Sequence, residues 1–464
     1  MSRLELPFLQ SLHAPISSEA PALCDDQGEW LNYQNTRQRI TALSSFFKTS
    51  SRALVFGCLP NTVEGALVYL SAAASGHGIA LADPDMPHLS AVIESYQPEW
   101  LVTASSHTYI NYVDTKWDLP NLRLLRRVTS SDVELHPDFY LLLLTSGSTG
   151  SGKGVRLSYK NIHSNTKAIL KSLGIGKDVR ALLHLPLFYS FGLSILHTQL
   201  AIGGSCILTK HGMMNKEFWQ LAHSQKANLF PGVPYHFEML EKLGLERLDS
   251  PDLKIFLQAG GKMSDEKTKN HWKKIEQRQG QLFVMYGQTE ASPRIASLAV
   301  HHHPNKIGSC GTILDEGFVT IKDEEIIYAG PNVMMGYAES RADLAQDDLM
   351  KGHLATGDIG SLDAEGFLTI TGRKQRFAKL YGQRIALDDL ERIASLVLPT
   401  IALEGETQII LATTDPNQEL HTHLKTILTQ ETGLPPTWLD VRHIKSIPHT
   451  SQGKVDYTKL RSML

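Results

Sequence analysis

Residues 140–154 read YLLLLTSGSTGSGKG, an apolar run that passes directly into a loop of glycine, serine and threonine with one lysine. A strand followed by such a loop is suited to phosphate, because glycines let backbone N–H groups turn toward an anion and hydroxyls donate to it. The lysine adds positive charge. The predicted phosphate-binding residues are Thr145, Ser146, Gly147, Ser148, Thr149, Gly150 and Lys153.

This loop has three interpretations. Residues 147–153 satisfy the Walker A pattern G-x-x-x-x-G-K, but Gly154 stands where a serine or threonine should hold Mg²⁺. The loop also resembles the signature T-S-G-[ST]-T-G-x-P-K-G-V of the adenylate-forming superfamily of acyl- and aryl-CoA synthetases, nonribosomal adenylation domains and beetle luciferases. Gly152 replaces the usual proline of that signature and should make the loop more mobile. The third interpretation is a plain surface loop.

Composition narrows the class of protein. The chain has 464 residues, which is too long for one ordinary domain and predicts two or three structural units. A net charge of −3 without charged blocks argues against nucleic acid or a polybasic membrane anchor. The apolar stretch 181–208 contains polar residues and glycines, so we expect no stable membrane insertion. Four widely spaced cysteines favour a reducing, cytoplasmic location.

The hydrophobic pattern predicts an α/β fold. A strand at 53–57 precedes a helix at 62–75, and this alternation continues to about residue 300, as expected for parallel sheets built from βαβ units. From about Gly308, short strands separated by turns predict a small antiparallel sheet or barrel. A small tail of helices and strands follows Gly372.

A second motif, YGQTE at residues 286–290, resembles the Y-G-x-T-E motif of the same superfamily. Tyr286, next to Gly287, can stack on adenine, and the Thr289 hydroxyl can donate to a phosphate. The Glu290 carboxylate can hold Mg²⁺ together with phosphate oxygens. The alternative interpretation of this motif is the end of an ordinary strand, in which the threonine only caps the following turn.

Two further motifs resemble the nucleotide site of the superfamily. Gly260 and Gly261 lie in QAGGK and resemble its adenine-flanking loop, where small residues let the backbone lie flat against a ring near the acid pocket. Asp358 in the T-G-D motif can accept hydrogen bonds from both ribose hydroxyls. The resemblance places Arg373 against ribose or phosphate.

The C-terminal part resembles the hinge, the thiol tunnel and the catalytic lysine of the superfamily. Gln375 stands at the hinge position, which is commonly Asp or Lys, and Lys379 and Gly382 belong to the loop that lines the pantetheine tunnel. Lys454 lies in PHTSQGK, which resembles P-x-T-x-x-G-K. By resemblance this lysine neutralises charge between the carboxylate and the α-phosphate.

The segment LPLFYSFG at residues 185–192 resembles the acid-binding segment. Tyr189 stands where enzymes for α-amino acids usually have aspartate, so an amino acid would lack a partner for its ammonium group. The predicted acid pocket contains Tyr189, Phe191, Tyr235 and Gly260, although aromatic residues of this kind also occur in ordinary cores.

Five motifs in the order of the superfamily imply its fold and chemistry. We expect two doubly wound α/β subdomains and a small distorted β-barrel in residues 1–372, then a small mobile α+β domain in residues 373–464 that carries Lys454. The implied reaction uses ATP and Mg²⁺ to convert a small carboxylic acid into an acyl-adenylate and transfers the acyl group to CoA. The alternatives are the phosphopantetheine of an acyl carrier protein as acceptor, a P-loop NTPase, or a non-catalytic nucleotide-binding relative. A monomer and a homodimer both remain open.

Overall fold

The computed structural model describes residues 6, 8–10, 18–86, 88–129, 131–144, 153–245, 250–374, 376–380 and 383–464. The chain separates into two compact units. Unit 1 comprises Met1–Val319 and Tyr328–Leu354, and unit 2 comprises Thr320–Ile327 and Ala355–Leu464. The domain boundary that we placed between residues 372 and 373 stays a prediction.

The strands of the described residues are β1 Pro21–Cys24, β2 Leu31–Asn32, β3 Leu54–Cys58, β4 Gly78–Leu81, β5 Trp100–Thr103, β6 Tyr112–Thr115, β7 Arg123–Arg127, β8 Phe139–Leu144, β9 Gly154–Ser158, β10 Arg180–Leu183, β11 Ser205–Leu208, β12 Leu229–Gly232, β13 Ile255–Gln258, β14 Gln281–Gly287, β15 Arg294–Ala299, β16 Thr312–Ile313, β17 Phe318–Lys322, β18 Glu325–Ala329, β19 Gly336–Ala338, β20 His353–Leu362, β21 Leu368–Arg373, β22 Phe377–Leu380, β23 Gln383–Ala386, β24 Ile401–Glu404, β25 Ile409–Thr413 and β26 Leu439–His443. The α-helices are α1 Tyr33–Ser44, α2 Val63–Ser75, α3 Leu89–Tyr96, α4 Tyr159–Leu173, α5 Ser190–Ile202, α6 Lys216–Ser224, α7 Pro234–Leu243, α8 Asp265–Gln277, α9 Leu387–Ala394, α10 Gln418–Thr432 and α11 Tyr457–Met463.

An eight-stranded sheet in unit 1 has the order β19-β9-β8-β4-β3-β5-β7-β6. Its central strands β8, β4, β3 and β5 are parallel, and antiparallel strands flank them. Helix α2 connects β3 to β4: the Thr62 hydroxyl accepts from the Gly65 N–H at its start, and Gly76 ends it with a φ of 77°. Strands β3 and β4 are wholly buried, as expected for a parallel sheet covered on both faces.

A nine-stranded sheet in unit 1 has the order β16-β15-β14-β13-β12-β10-β11-β1-β2. The six strands from β14 to β1 run parallel, and β15, β16 and β2 are antiparallel additions at the edges. Two mainly parallel sheets with crossover helices confirm the predicted α/β class with doubly wound subdomains. The carboxyl ends of β10, β12, β13 and β14 meet at one edge of this sheet, where ligands bind in folds of this kind.

Three smaller sheets complete the fold. A four-stranded sheet has the order β17-β18-β20-β21, and the distorted barrel that we expected in this region stays a prediction. Unit 2 also contains the hairpin β22-β23 and the sheet β24-β25-β26, on which apolar side chains of α9 and α10 form a separate core. Within the described part of the chain, no helix has the length and apolar character needed to cross a bilayer.

Candidate active site

The predicted phosphate-binding loop lies between β8 and β9. Its residues Thr145, Ser146, Gly147, Ser148, Thr149 and Gly150 lie outside the described residues, so their role stays a prediction. Strand β9 pairs antiparallel with β8 and begins at Gly154, directly after Lys153. A Cβ atom at position 154 would lie 2.5 Å from Leu142 Cδ1, so the serine or threonine of a Walker A loop would have to displace the Leu142 side chain.

The YGQTE segment turns the chain at the end of β14. Gly287 permits this turn, because a Cβ atom there would lie 1.8 Å from the carbonyl oxygen of Pro293. Tyr286 is buried, whereas Thr289 and Glu290 are half-buried on the 3₁₀ turn that follows. This turn places the hydroxyl and the carboxylate beyond the carboxyl end of the strand, where the sequence predicted phosphate and metal contacts.

Tyr337 joins Glu290 to the lysine of the phosphate loop. Its hydroxyl donates to Glu290 Oε1 at 2.9 Å, and Lys153 Nζ lies 3.6 Å from the centroid of its ring. Burial raises the pKa of Tyr337, and the negative charge of Glu290 raises it further, so the phenol stays a hydrogen-bond donor. The sequence analysis missed Tyr337, because an aromatic residue in a three-residue strand carries no local signal of this contact.

The Thr289 hydroxyl connects the nucleotide motif with the acid segment. It lies 3.1 Å from the Ser190 hydroxyl, at the first residue of α5. Tyr189 precedes this helix and Phe191 belongs to it; both are buried, with ring centroids 6.2 Å apart. Residues from the end of β14 and the start of α5 therefore form one cluster in unit 1.

Gly260 adds the predicted adenine-flanking loop to this cluster. Its φ is 79°, and a Cβ atom there would lie 2.4 Å from the Tyr189 hydroxyl and 2.9 Å from Val233. Gly261 lies against Pro234, the first residue of α7, so Tyr235 at the second position of that helix lies close to the same loop. Burial raises the pKa of Tyr189 to about 12, although the charge of Arg294 opposes this rise. Arg294 is the second residue that the sequence analysis missed.

Asp358 and Arg373 lie together in unit 2. They are register partners on β20 and β21, and Arg373 Nε lies 3.1 Å from Asp358 Oδ1. The Thr356 hydroxyl accepts from the Asp358 N–H and donates to the carbonyl of Ile326. Asp358 is buried and held in place, while Arg373 is exposed. Their predicted contacts with ribose and phosphate stay predictions.

Lys454 lies at the end of a tight turn in unit 2. The Thr450 N–H donates to the carbonyl of Lys454, and the Thr450 hydroxyl accepts from the Lys454 N–H. Gly453 adopts a φ of 73°, so the threonine and glycine of the motif both shape the turn that presents this exposed lysine. Its catalytic role stays a prediction. Gln375 and Gly382 lie outside the described residues, and Lys379 is described by its backbone in β22 alone.

Comparisons with known proteins identify the family of the chain. A family model described as AMP-binding enzyme matches residues 13–338. A 2-succinylbenzoate–CoA ligase of Listeria monocytogenes is 28% identical over 333 residues, 69% of this chain and 69% of the relative. One from Bacillus cereus is 29% identical over 276 residues, which cover 57% of this chain and 56% of the relative.

Solved structures show the same fold. The o-succinylbenzoate CoA synthetase of Bacillus subtilis, in complex with the acyl-adenylate intermediate, has a TM-score of 0.76 at 19% identity and covers 98% of both chains. ATP-bound MatB from Rhodopseudomonas palustris has a TM-score of 0.77 at 17% identity and covers 99% of this chain and 98% of its own. The predicted ATP-dependent, AMP-forming acid–CoA ligase is confirmed as a class, and the chain belongs to the family of AMP-binding enzymes.

Proposed function

We propose that this chain activates an aromatic acid of the 2-succinylbenzoate type as its acyl-adenylate and transfers the acyl group to CoA. The observation that carries the proposal is the 3.1 Å contact between the hydroxyls of Thr289 and Ser190. It joins the predicted nucleotide motif to the predicted acid segment, so a carboxylate and an α-phosphate bound at the two motifs would meet there. The names of the relatives support the choice of acid.

In the first step, a carboxylate oxygen of the acid attacks the α-phosphorus, the bond to the β-phosphate oxygen breaks, and pyrophosphate leaves. No proton has to move. The reactants are all anionic, so positioned cations and hydrogen-bond donors supply most of the catalysis. In this proposal Lys153 binds the phosphates, Thr289 donates to one of them, and Lys454 lies between the carboxylate and the α-phosphate.

Glu290 fits a magnesium site of the kind found with bound nucleotides. Mg²⁺ commonly takes one or two protein carboxylates and completes its shell with phosphate oxygens and water. No group of three or more His, Cys, Asp or Glu side chains in the described residues could hold a metal by itself, so ATP must supply the other ligands. Bound there, Mg²⁺ would neutralise charge on the departing pyrophosphate. Tyr337 orients the carboxylate that holds it.

In the second step, a thiolate attacks the carbonyl carbon of the acyl-adenylate and AMP leaves, which gives a thioester. We place Lys379 and Gly382 beside the arriving pantetheine and Gln375 at the hinge between the two steps. A carrier protein bears the same pantetheine group as CoA, so it is the alternative acceptor. Cys24, Cys58, Cys206 and Cys310 are buried, and among the described residues they form no disulfide, which supports the cytoplasmic location that we propose.

The test measures pyrophosphate and AMP release from MgATP with 2-succinylbenzoate and a panel of other acids, with and without CoA. We expect acid-dependent AMP formation that rises with CoA. Release of pyrophosphate that CoA does not change would favour a carrier protein as acceptor. Formation of ADP, or no activity with any acid, would refute the proposal.

Lys454→Ala tests the assignment of the catalytic lysine. Loss of one well-placed catalytic donor lowers the rate by about 10²–10³-fold, and we expect a fall of this size in pyrophosphate release. Lys459→Ala is the matched control, because Lys459 is an exposed lysine on the neighbouring helix α11. A near-normal rate in the Lys454 variant would refute its catalytic role.

A further inference from the structure

Arg294 is a buried arginine in a fixed position beside the acid segment. It is the first residue of β15 and is only 3% exposed. The Asn165 side chain accepts from its N–H at 3.1 Å and donates to its carbonyl at 2.8 Å, which fixes the backbone. The guanidinium carbon lies 4.5 Å from the centroid of the Phe191 ring, and one terminal nitrogen donates to the Ser194 hydroxyl at 3.2 Å.

This guanidinium lacks the partners that the other buried arginines have. Arg156 donates to three backbone carbonyls, and Arg341 pairs with both oxygens of Glu99 and donates to another carbonyl. The guanidinium of Arg294 contacts one hydroxyl and one aromatic ring, and no carboxylate or carbonyl of the described residues accepts from it. Its Nε has no hydrogen-bond partner, a feature that it shares with Arg156.

An unpaired buried charge is costly, so its presence here requires an explanation. Burial lowers the pKa of Arg294 to about 10, and Tyr189 opposes this fall, so the group stays charged at neutral pH. Arginine presents planar N–H groups that match the two oxygens of a carboxylate. The missing partner would therefore be an anion that arrives with a ligand.

Helix α5 sets the distance between this guanidinium and the reaction centre. Ser190 contacts the Thr289 hydroxyl, and Ser194 accepts from Arg294. The two serines are four residues apart, which corresponds to one helical turn and a rise of about 6 Å along the axis. A ligand anion at Arg294 would thus lie about one helical turn from the carboxylate that reacts.

We propose that Arg294 binds a second carboxylate of the acid substrate, at the end remote from the carboxylate that is adenylated. This inference rests on the proposed function and deepens it: the substrates are dicarboxylic acids, and Arg294 determines that specificity. Tyr189 and Phe191 provide aromatic contacts for the part of the acid that joins the two carboxylates. Monocarboxylic acids of the same shape leave the buried guanidinium unpaired, so the enzyme discriminates against them.

The test compares acids that differ only in the second carboxylate. 2-Succinylbenzoate is paired with 4-oxo-4-phenylbutanoate, which lacks the carboxylate on the ring, and glutarate is paired with pentanoate. Pyrophosphate release gives kcat/KM for each acid with the wild type, Arg294→Met and Arg294→Lys. Arg156→Met is the control, because Arg156 is equally buried but its terminal nitrogens donate to three backbone carbonyls.

We expect the wild type to prefer the diacid of at least one pair by on the order of 100-fold. Arg294→Met should remove most of this preference, because it should lower kcat/KM for the diacid far more than for the monoacid. Arg294→Lys, which keeps the charge and loses the planar pair of donors, should retain part of it. Arg156→Met should lower the melting temperature without changing the ratio.

The remaining outcomes distinguish a failure of the proposed acid from a failure of the proposed role of Arg294. A wild type that prefers glutarate but ignores both aromatic acids refutes the proposed acid and supports the role of Arg294. The role of Arg294 is refuted if the wild type has equal kcat/KM for the diacid and the monoacid of each pair. It is also refuted if Arg294→Met lowers kcat/KM equally for both acids while its melting temperature is unchanged. If Arg294→Met fails to fold, an unchanged diacid preference in Arg294→Lys refutes it. A wild type that activates no acid of either pair refutes both proposals.

Discussion

Replacement of Tyr337 by phenylalanine removes one hydroxyl and leaves the ring under Lys153. The lost bond is the donation to Glu290 Oε1 at 2.9 Å. Hydrogen bonds to charged groups stabilise by about 1.5–3 kcal/mol. Tyr337 is 38% exposed, so we expect a loss near or below the lower end of this range, about 1–2 kcal/mol, because water replaces part of the interaction. That free energy corresponds to roughly a 5- to 30-fold change in rate.

The loss should appear as a greater need for magnesium, because Tyr337 acts by orienting the Glu290 carboxylate. The assay follows pyrophosphate release as a function of Mg²⁺ concentration at fixed ATP and acid. We expect kcat/KM for MgATP to fall about 5- to 30-fold and the half-saturating Mg²⁺ concentration to rise. Tyr337→Leu also removes the ring beneath Lys153 and should lower the rate further.

Tyr328→Phe is the matched control for this experiment. Its hydroxyl donates to Asn332 Oδ1 at 2.7 Å, in the same unit, in a fully buried position. We expect that variant to lose stability while its dependence on Mg²⁺ stays that of the wild type. An unchanged Mg²⁺ dependence in Tyr337→Phe, or a loss of stability without a kinetic effect, would show that the Tyr337–Glu290 bond is only structural.

Two further predictions follow from the same structure. Gly260→Ala should raise KM for the acid, because the new Cβ atom would displace the Tyr189 ring. Gly174→Ala is the control, because Gly174 has a similarly positive φ of 60° but open space around it. The control should lower the melting temperature without changing KM. An unchanged KM in Gly260→Ala would exclude Gly260 from the acid pocket. Burial lowers the pKa of His197 to about 3 and of His271 to about 4. The unfolded chain takes up these protons below about pH 6.5, whereas the folded chain does not, so stability falls as the pH drops from 6.5 toward 4. Between pH 7.5 and 5, the free energy of unfolding measured with urea should fall by about 2 kcal/mol for each of these histidines. In His197→Gln this fall should be smaller by the contribution of His197. A pH dependence identical to that of the wild type in this variant would contradict the assignment.

Local signals predicted much of the fold from the sequence. The helix expected at 62–75 is Val63–Ser75 with Thr62 as its cap, because the capping side chain and the terminal glycine are both encoded in adjacent residues. The strand expected at 140–144 is Phe139–Leu144, since a run of apolar residues is sufficient for a buried strand. Errors of one residue at the ends are typical of such signals.

Contacts between distant segments could not be predicted in the same way. Tyr337 meets Glu290 across 47 positions of the chain, and Arg294 meets Ser194 across 100. In sequence, Arg294 is simply a charged residue at the start of an edge-proximal strand, which is usually exposed. Its burial follows from its contacts with Asn165 of α4 and with Phe191 and Ser194 of α5. Only the structure shows that no carboxylate of the described residues accompanies it.

The topology around Lys153 also bears on the Walker A interpretation of the glycine-rich loop, which Gly154 already disfavours in the sequence. A Walker A loop leads from a strand directly into a helix, whose N-terminal N–H groups face the phosphates. Here Lys153 leads into strand β9, which runs back along β8, and helix α4 begins only at Tyr159 after that strand. Phosphate bound by this loop therefore cannot rely on the start of the following helix. In this topology the loop and Lys153 would have to bind a phosphate without a helix N-terminus, which disfavours the Walker A interpretation.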